Sequence, residues 1–152
     1  MGKIKKYFKN KTATKCIELK DLSFQRLINV KANKKQIGSD RIANALSISN
    51  YKDNFIVVDF GTATTFDVIV KKTYLGGVIA PGIEISLRSL SLKASLIPKI
   101  KFQKIKTVIG KTTSKSVLSG FYWGYNGLID KIIDLIHTET KKKFRIILTG
   151  GL

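Results

Sequence analysis

The segment Asp59-Phe60-Gly61-Thr62-Ala63-Thr64-Thr65 places an acid, a glycine and three hydroxyls between two apolar runs, Phe55 to Val58 and Phe66 to Val70. That pattern predicts a strand, a tight turn and a second strand. Glycine lets a backbone come close to a ligand. Threonine hydroxyls and free backbone N–H groups suit phosphate oxygens, and the acid can hold a cation. The chemistry indicated is that of a nucleotide. A plain hairpin accounts for the same residues, since threonine is a good strand former and an Asp at a strand end can accept backbone N–H bonds. Asp-Phe-Gly is not the protein-kinase motif here, because no H-R-D loop and no Gly-rich loop with a strand lysine accompany it.

A second candidate is Gly38-Ser39-Asp40-Arg41 at a predicted helix start. A carboxylate there can take a proton from a substrate hydroxyl. The adjacent guanidinium can grip a carboxylate or phosphate through two parallel bonds. The structural alternative is a helix cap, by Ser39 or Asp40, beside a surface arginine. Gly76-Gly77 and Pro81-Gly82 permit close backbone approach, with a helix N-terminus favouring negative charge. Thr149-Gly150-Gly151 resembles any strand exit. His137, the single histidine, falls near a helix C-terminus and reads as a dipole partner. One His and one Cys rule out a zinc site. Tyr122, Trp123 and Tyr125 read as packing residues.

These groups need elements to position them. Apolar spacing predicts a helix over 39–49, with Ile42, Ala45, Leu46 and Ser49 on one face. Strands are predicted over 55–60, 65–70 and 74–80. A helix follows from Ile83 to Leu96, ended by Pro98. The longest helix is predicted over 114–138, its apolar face running Val117, Phe121, Leu128, Ile132 and Leu135. Gly120, Gly124 and Gly127 on it suggest close approach of another backbone. Phe144 to Leu148 reads as a buried strand. Residues 1–30 read as a short helix, a short strand and loops, with apolar positions such as Leu19, Phe24 and Ile28. The three successive strands predict a meander, the late helix–strand pair a parallel addition, and the whole a mixed α/β sheet with helices on both faces.

At 152 residues and 43% apolar content, the chain is one domain or a piece of a larger one. No apolar run approaches the roughly 20 residues that span a bilayer. The basic N-terminus has no apolar stretch behind it, so it is not a secretory signal. The lone Cys16 fits a reducing cytoplasm. The net charge is +18, but only 25% of residues are charged and the lysines are scattered. A solvated basic surface therefore outweighs a dedicated nucleic-acid face. Such a field still attracts acidic substrates.

Taken in order, G-S-D-R-I-A-N-A, V-V-D-F-G-T-A-T-T-F-D-V, L-G-G-V-I-A-P-G-I, I-G-K-T-T, S-G-F-Y-W-G and L-T-G-G-L resemble the type III pantothenate kinases, over about residues 37–152. The resemblance implies the acetate and sugar kinase, Hsc70 and actin superfamily, built from two ribonuclease H-like halves, and a homodimer. Residues 1–36 would be a remnant of the first half. Residues 37–152 would be the substrate-binding segment and most of the second half. The implied reaction is ATP-dependent phosphorylation of pantothenate to 4'-phosphopantothenate, the first step towards coenzyme A, with Mg2+ and K+ or NH4+. By position, Asp40 matches the general base and Gly38, Ser39, Asp40 and Arg41 the substrate segment. Asp59 matches the monovalent-cation ligand, Gly61 and Thr62 the ATP contacts, and Thr113 a substrate contact.

Three departures stand out. The family opens with an Asp-x-Gly-Asn-Thr phosphate loop that residues 1–152 do not contain. It continues past Thr-Gly-Gly, where this chain stops. A tyrosine expected before the Gly-x-Asp-Arg segment is replaced by the stretch Asn29, Val30, Lys31, and Thr112-Thr113 stands for the usual Asn-Thr. The fold is thus expected to be incomplete, shortened at both ends, with little or no turnover by residues 1–152 alone. Two alternatives are a nucleic-acid-binding or transcriptional accessory protein on the same fold, and an inactive partner that dimerises through the 114–138 helix.

Overall fold

The computed structural model describes every residue except 1, 13–15, 18, 20, 21, 24, 25 and 152. The expectation for Phe24 lies outside the described residues. The centre is the predicted meander. Strands β2 (Asn54–Phe60), β3 (Ala63–Val70) and β4 (Thr73–Pro81) pair antiparallel in succession. Two parallel strands complete the sheet: β1 (Asn29–Val30) beside β4, and β5 (Arg145–Gly150) beside β2. The order is β1-β4-β3-β2-β5, a mixed five-stranded sheet.

Side chains alternate between sheet faces with a period of two, and each face has its own core. Phe55, Val57 and Ile69 meet Ile42, Ala45 and Ile48 of helix α2 (Ser39–Ser47) and the residue that follows it. Ile56, Val58, Phe66 and Val68 meet helix α4 (Thr113–Thr140) through Leu128, Ile129, Ile132, Ile133 and Ile136. Helices therefore lie on both faces, as the pattern predicts. Helix α1 (Gly2–Lys11) precedes the sheet, and α3 (Ile83–Lys93) follows β4 directly. Among the described residues no helix is long and apolar enough to cross a membrane.

Four expectations change. Helix α3 stops at Lys93, three residues short of Leu96, and Ala94 takes an extended backbone. The buried stripe of α4 includes Ile136, whereas Leu135 is 52% exposed. The sheet is met by Leu128, Ile129, Ile132, Ile133 and Ile136, a stripe that leaves Leu135 off its edge. Beyond the helix's own backbone, no atom of the described residues lies within 4 Å of the positions that Cβ atoms at Gly120, Gly124 or Gly127 would fill, so among these residues they approach no other backbone. Strand β5 was expected to be buried, yet it is an edge strand with Leu148 65% exposed. An apolar run specifies a strand but not how many of its faces are covered.

Candidate functional site

Pairing within the β2–β3 hairpin decides what the turn presents. Asp59 lies directly opposite Thr65, so their side chains share one face. Asp67, two residues beyond Thr65, points to that same face. This is the face covered by α2, and the apolar packing gives way there to a polar strip. Thr64 points to the other face, where it is fully buried and its hydroxyl bonds Tyr125 Oη of α4 at 3.1 Å. The Tyr125 hydroxyl donates in turn to the Pro81 carbonyl. Each face of the turn is thus anchored by a different helix.

On the α2 side the hub is Asp67, which is fully buried. One carboxylate oxygen, Oδ1, accepts from Arg41 Nε at 2.7 Å and from the Tyr74 hydroxyl at 2.9 Å. The other, Oδ2, faces Asn44 Nδ2 at 3.4 Å. The same Nδ2 donates to Asp59 Oδ2 at 3.1 Å. Burial pushes the Asp67 carboxyl above its ordinary value of 3.8, against the opposing pull of Arg41 and the three donors. Burial beside that carboxylate also pushes the Tyr74 hydroxyl far above its usual range. The Arg41 guanidinium sits 5.9 Å from the Tyr74 ring centroid. Its Nη2 is buried without a hydrogen-bond partner.

Gly77 makes this arrangement possible. A Cβ there would lie 2.5 Å from Arg41 Nη2 and 1.8 Å from the Phe66 carbonyl oxygen. The close approach expected of Gly76-Gly77 is thus to the chain's own arginine.

The start of α2 differs from the capping expectation. Gly38 occupies the cap position, with extended backbone and no side-chain cap bond, and neither Ser39 nor Asp40 caps. Asp40 is exposed in the first turn. Its carboxylate folds back over Gly38, since a Cβ at 38 would sit 2.3 Å from Asp40 Oδ1. Glycine at 38 therefore leaves room for the carboxylate to hold that position. Arg41, expected to offer its fork to a substrate anion, instead has a buried carboxylate partner inside the chain, and its side chain is 13% exposed.

The tip of the hairpin is held by two glycines. A Cβ at Gly82 would meet the carbonyl oxygens of Gly61 at 2.3 Å and Thr62 at 2.4 Å. Gly150 has φ +119, and a Cβ there would meet the Phe60 carbonyl oxygen at 2.3 Å. The N-terminus of α3 and the end of β5 thus both abut Phe60-Gly61-Thr62. Between them lies a cleft of about 840 Å³, with Gly61, Thr62 and Gly151 at one end and Arg88, Lys99, Lys101 and Phe102 along its walls. Exposed backbone at a glycine turn, a helix N-terminus and three cations suit an anionic ligand, although Glu84 in the first turn of α3 also lines the cleft and offsets one of those charges.

Thr113 opens α4, after Thr112 caps it by accepting from the Lys115 amide at 3.3 Å. No hydrogen bond among the described residues joins Thr113 to the α2 network. Arg41 and Asp59 share the network of Asn44 and Asp67, Asp40 lies on the same helix as Arg41, and Gly61 and Thr62 line the neighbouring cleft.

A cation at Asp59 has a chemical precondition, namely oxygen donors not already committed. Asp59 is half-buried and its Oδ2 is bonded to Asn44. Across from it, the Thr65 hydroxyl is buried with no hydrogen-bond partner. An orphaned hydroxyl beside a carboxylate fits a hard cation taken by oxygen atoms. Among the described residues, no three His, Cys, Asp or Glu side chains gather into a metal cluster. The residues present therefore suit a weakly held, oxygen-ligated ion.

Sequence reasoning gave no role to Asn44, Asp67 or Tyr74, and offered the Thr65 hydroxyl to phosphate rather than to a cation. Asp67 did carry a signal, being an acid inside an apolar strand run, and a buried acid needs partners. Asn44 follows Arg41 by three residues and Asp40 by four, which places all three on neighbouring positions of one helix surface.

Comparison with known proteins shows the family. A family model described as type III pantothenate kinase matches residues 1–135. A type III pantothenate kinase of Pelagibacter ubique is 60% identical over 148 residues, covering 97% of this chain and 60% of that protein. One from Endomicrobium trichonymphae is 45% identical over 151 residues, covering 98% of this chain and 56% of the relative. One from Citrifermentans bemidjiense is 44% identical over 122 residues, covering 79% and 48% respectively. The chain thus spans at most 60% of the length of these relatives. A solved structure from Campylobacter jejuni, described as a Baf family transcriptional activator, superposes with a TM-score of 0.58 at 22% identity. It covers 99% of this chain and 64% of the other, a likeness of fold.

Proposed function

We propose that this chain, which belongs to the type III pantothenate kinase family, contributes the substrate half of a site that phosphorylates pantothenate with ATP. The observation that carries this reading is the tie between the two candidate segments. Asp40 is exposed on the helix whose Asn44 bonds Asp59 at the hairpin turn, 3.1 Å away. A proton acceptor and a phosphate turn are thereby held in one rigid frame.

In this reading Asp40 accepts the proton of the pantothenate hydroxyl as its oxygen bonds to the γ-phosphorus of ATP. The bond from that phosphorus to the bridging oxygen breaks, and ADP leaves with the electron pair. Gly38, Ser39 and Arg41 shape the substrate end, and Thr113 contacts pantothenate from α4. Gly61 and Thr62 offer backbone and hydroxyl groups to the triphosphate, in the cleft lined by Arg88, Lys99 and Lys101. Asp59, with the Thr65 hydroxyl, would hold a potassium or ammonium ion. That ion, with Mg2+ carried by ATP, would neutralise phosphate charge. The product is 4'-phosphopantothenate, the site of action the cytoplasm, and the assembly a homodimer.

The test is transfer of the γ-phosphoryl group to pantothenate in potassium buffer, wild type beside Asp40→Asn. A positioned base is worth about 10²- to 10⁴-fold in rate, and a loss of that size supports the assignment. Retained turnover in the variant contradicts it. No turnover by the wild type, with pantothenate binding intact, would restrict the chain to the substrate half-site.

A further inference from the structure

The geometry points to Asn44 as a positioning residue that aims the Asp59 carboxylate at its cation. This inference rests on the proposed cation role of Asp59. It assigns a task to a residue that the sequence reading left without one.

Asn44 sits on the third and fourth positions after Arg41 and Asp40, on the helix that carries the proposed base. Its amide nitrogen has two N–H donors. Both face carboxylates, at 3.1 Å to Asp59 and 3.4 Å to Asp67. With acceptors on both sides, the nitrogen rather than the oxygen of the amide must face them, which fixes the orientation of the side chain. Asp67 cannot drift, because Arg41 and Tyr74 hold its other oxygen. The chain of contacts therefore runs from a fully buried anchor, through Asn44, to one oxygen of Asp59. Asp59 Oδ1 has no hydrogen bond among those of the described residues. It lies on the face that also carries the orphaned Thr65 hydroxyl.

Two consequences follow for the ion. Fixing Oδ2 sets the plane of the Asp59 carboxylate and leaves Oδ1 uncommitted. And because the donor is a neutral amide, the negative charge of Asp59 is oriented without being cancelled. A lysine at this position would supply its own cation and compete with the ion. Groups that orient a metal ligand are typically worth about 10- to 100-fold in metal affinity or activity.

The experiment needs no turnover. Thermal unfolding is followed by circular dichroism while potassium chloride replaces choline chloride at constant ionic strength. The dissociation constant fitted to the logarithmic rise of stability with potassium reports binding to the folded chain. Asn44→Leu keeps the branching at Cγ and removes both bonds, and Asn44→Ala serves should the leucine variant not fold. The expected result is a dissociation constant raised about 10-fold or more. Ile48→Ala, which opens the core below the same helix, should lower Tm and leave that constant where it was. A dissociation constant unchanged in Asn44→Leu and Asn44→Ala overturns the inference. Asp59→Asn separates the two claims. If it retains the potassium response, or the wild type has none, the cation reading itself fails and the role of Asn44 falls with it. If Asp59→Asn alone loses the response, only the role of Asn44 is refuted.

Discussion

Removing one member of the Arg41–Asp67 pair should cost very different amounts depending on which member goes. Both are buried, with side-chain exposures of 13% and 0%. In Asp67→Asn the guanidinium keeps its charge, since arginine does not deprotonate in proteins. Its Nη2 already lacks a partner, so no spare bond compensates. A buried pair broken in this way costs about 3–5 kcal/mol, and no change of protonation at Arg41 can relieve it. In Arg41→Met the carboxyl can escape by taking a proton, and it retains Tyr74 and Asn44 as neighbours.

The sign of the pH dependence follows from the raised Asp67 value. The folded state binds the proton more tightly than the unfolded state. The contribution to stability is then fully present below the ordinary value of 3.8 and lost as pH rises through the folded value. Losing Arg41 raises the folded value further and widens that window. Keeping the carboxyl protonated costs about 1.4 kcal/mol per pH unit above 3.8, hence at most about 4 kcal/mol at pH 7 and about 1 kcal/mol at pH 4.5. Urea unfolding by circular dichroism at both pH values should show Arg41→Met much nearer wild type at pH 4.5. Asp67→Asn, which has no carboxyl to protonate, should show no such recovery at pH 4.5. The double variant should be more stable than Asp67→Asn alone. A loss below about 1 kcal/mol in Asp67→Asn, far under the range for a broken buried pair, refutes the reasoning, as does an Arg41→Met loss that ignores pH.

Gly82→Ala should destabilise by about 1–3 kcal/mol, the usual cost of overpacking, because the new methyl meets two backbone carbonyls of the hairpin tip. It should also weaken binding of a fluorescent ATP analogue, and unchanged binding would disconnect that tip from the nucleotide. Tyr125→Phe should cost about 1–3 kcal/mol in urea unfolding, the penalty of a buried hydroxyl left unsatisfied, because Thr64 loses its partner. Wild-type stability there would mean Thr64 finds another acceptor.

Much of the frame was legible. The runs around Asp59–Thr65 specified the hairpin, because two short apolar runs joined by a glycine turn leave few other folds for such a segment. The apolar spacing of Ile42 and Ala45 specified α2 and its buried face. What escaped was set by relations between elements. Asp67 was read as part of an apolar strand, although its burial is tolerable only because Arg41, Asn44 and Tyr74 converge on it from α2 and β4. No local pattern states that convergence. The sequence around Gly77 suits either a tight connection or close approach to a ligand, and the group that approaches it is Arg41. The exposure of β5 was hidden for the same reason, since Leu148 is apolar whether or not anything lies over it.

The central claim is that the start of α2 receives pantothenate through Asp40. Isothermal titration of pantothenate into the wild-type chain and into Asp40→Ala tests it most directly. A hydrogen bond to a charged group is worth about 1.5–3 kcal/mol, so saturable one-site binding should weaken by about 10- to 100-fold in the variant. Binding of equal strength to both proteins, or no saturable binding to the wild type, would contradict the account.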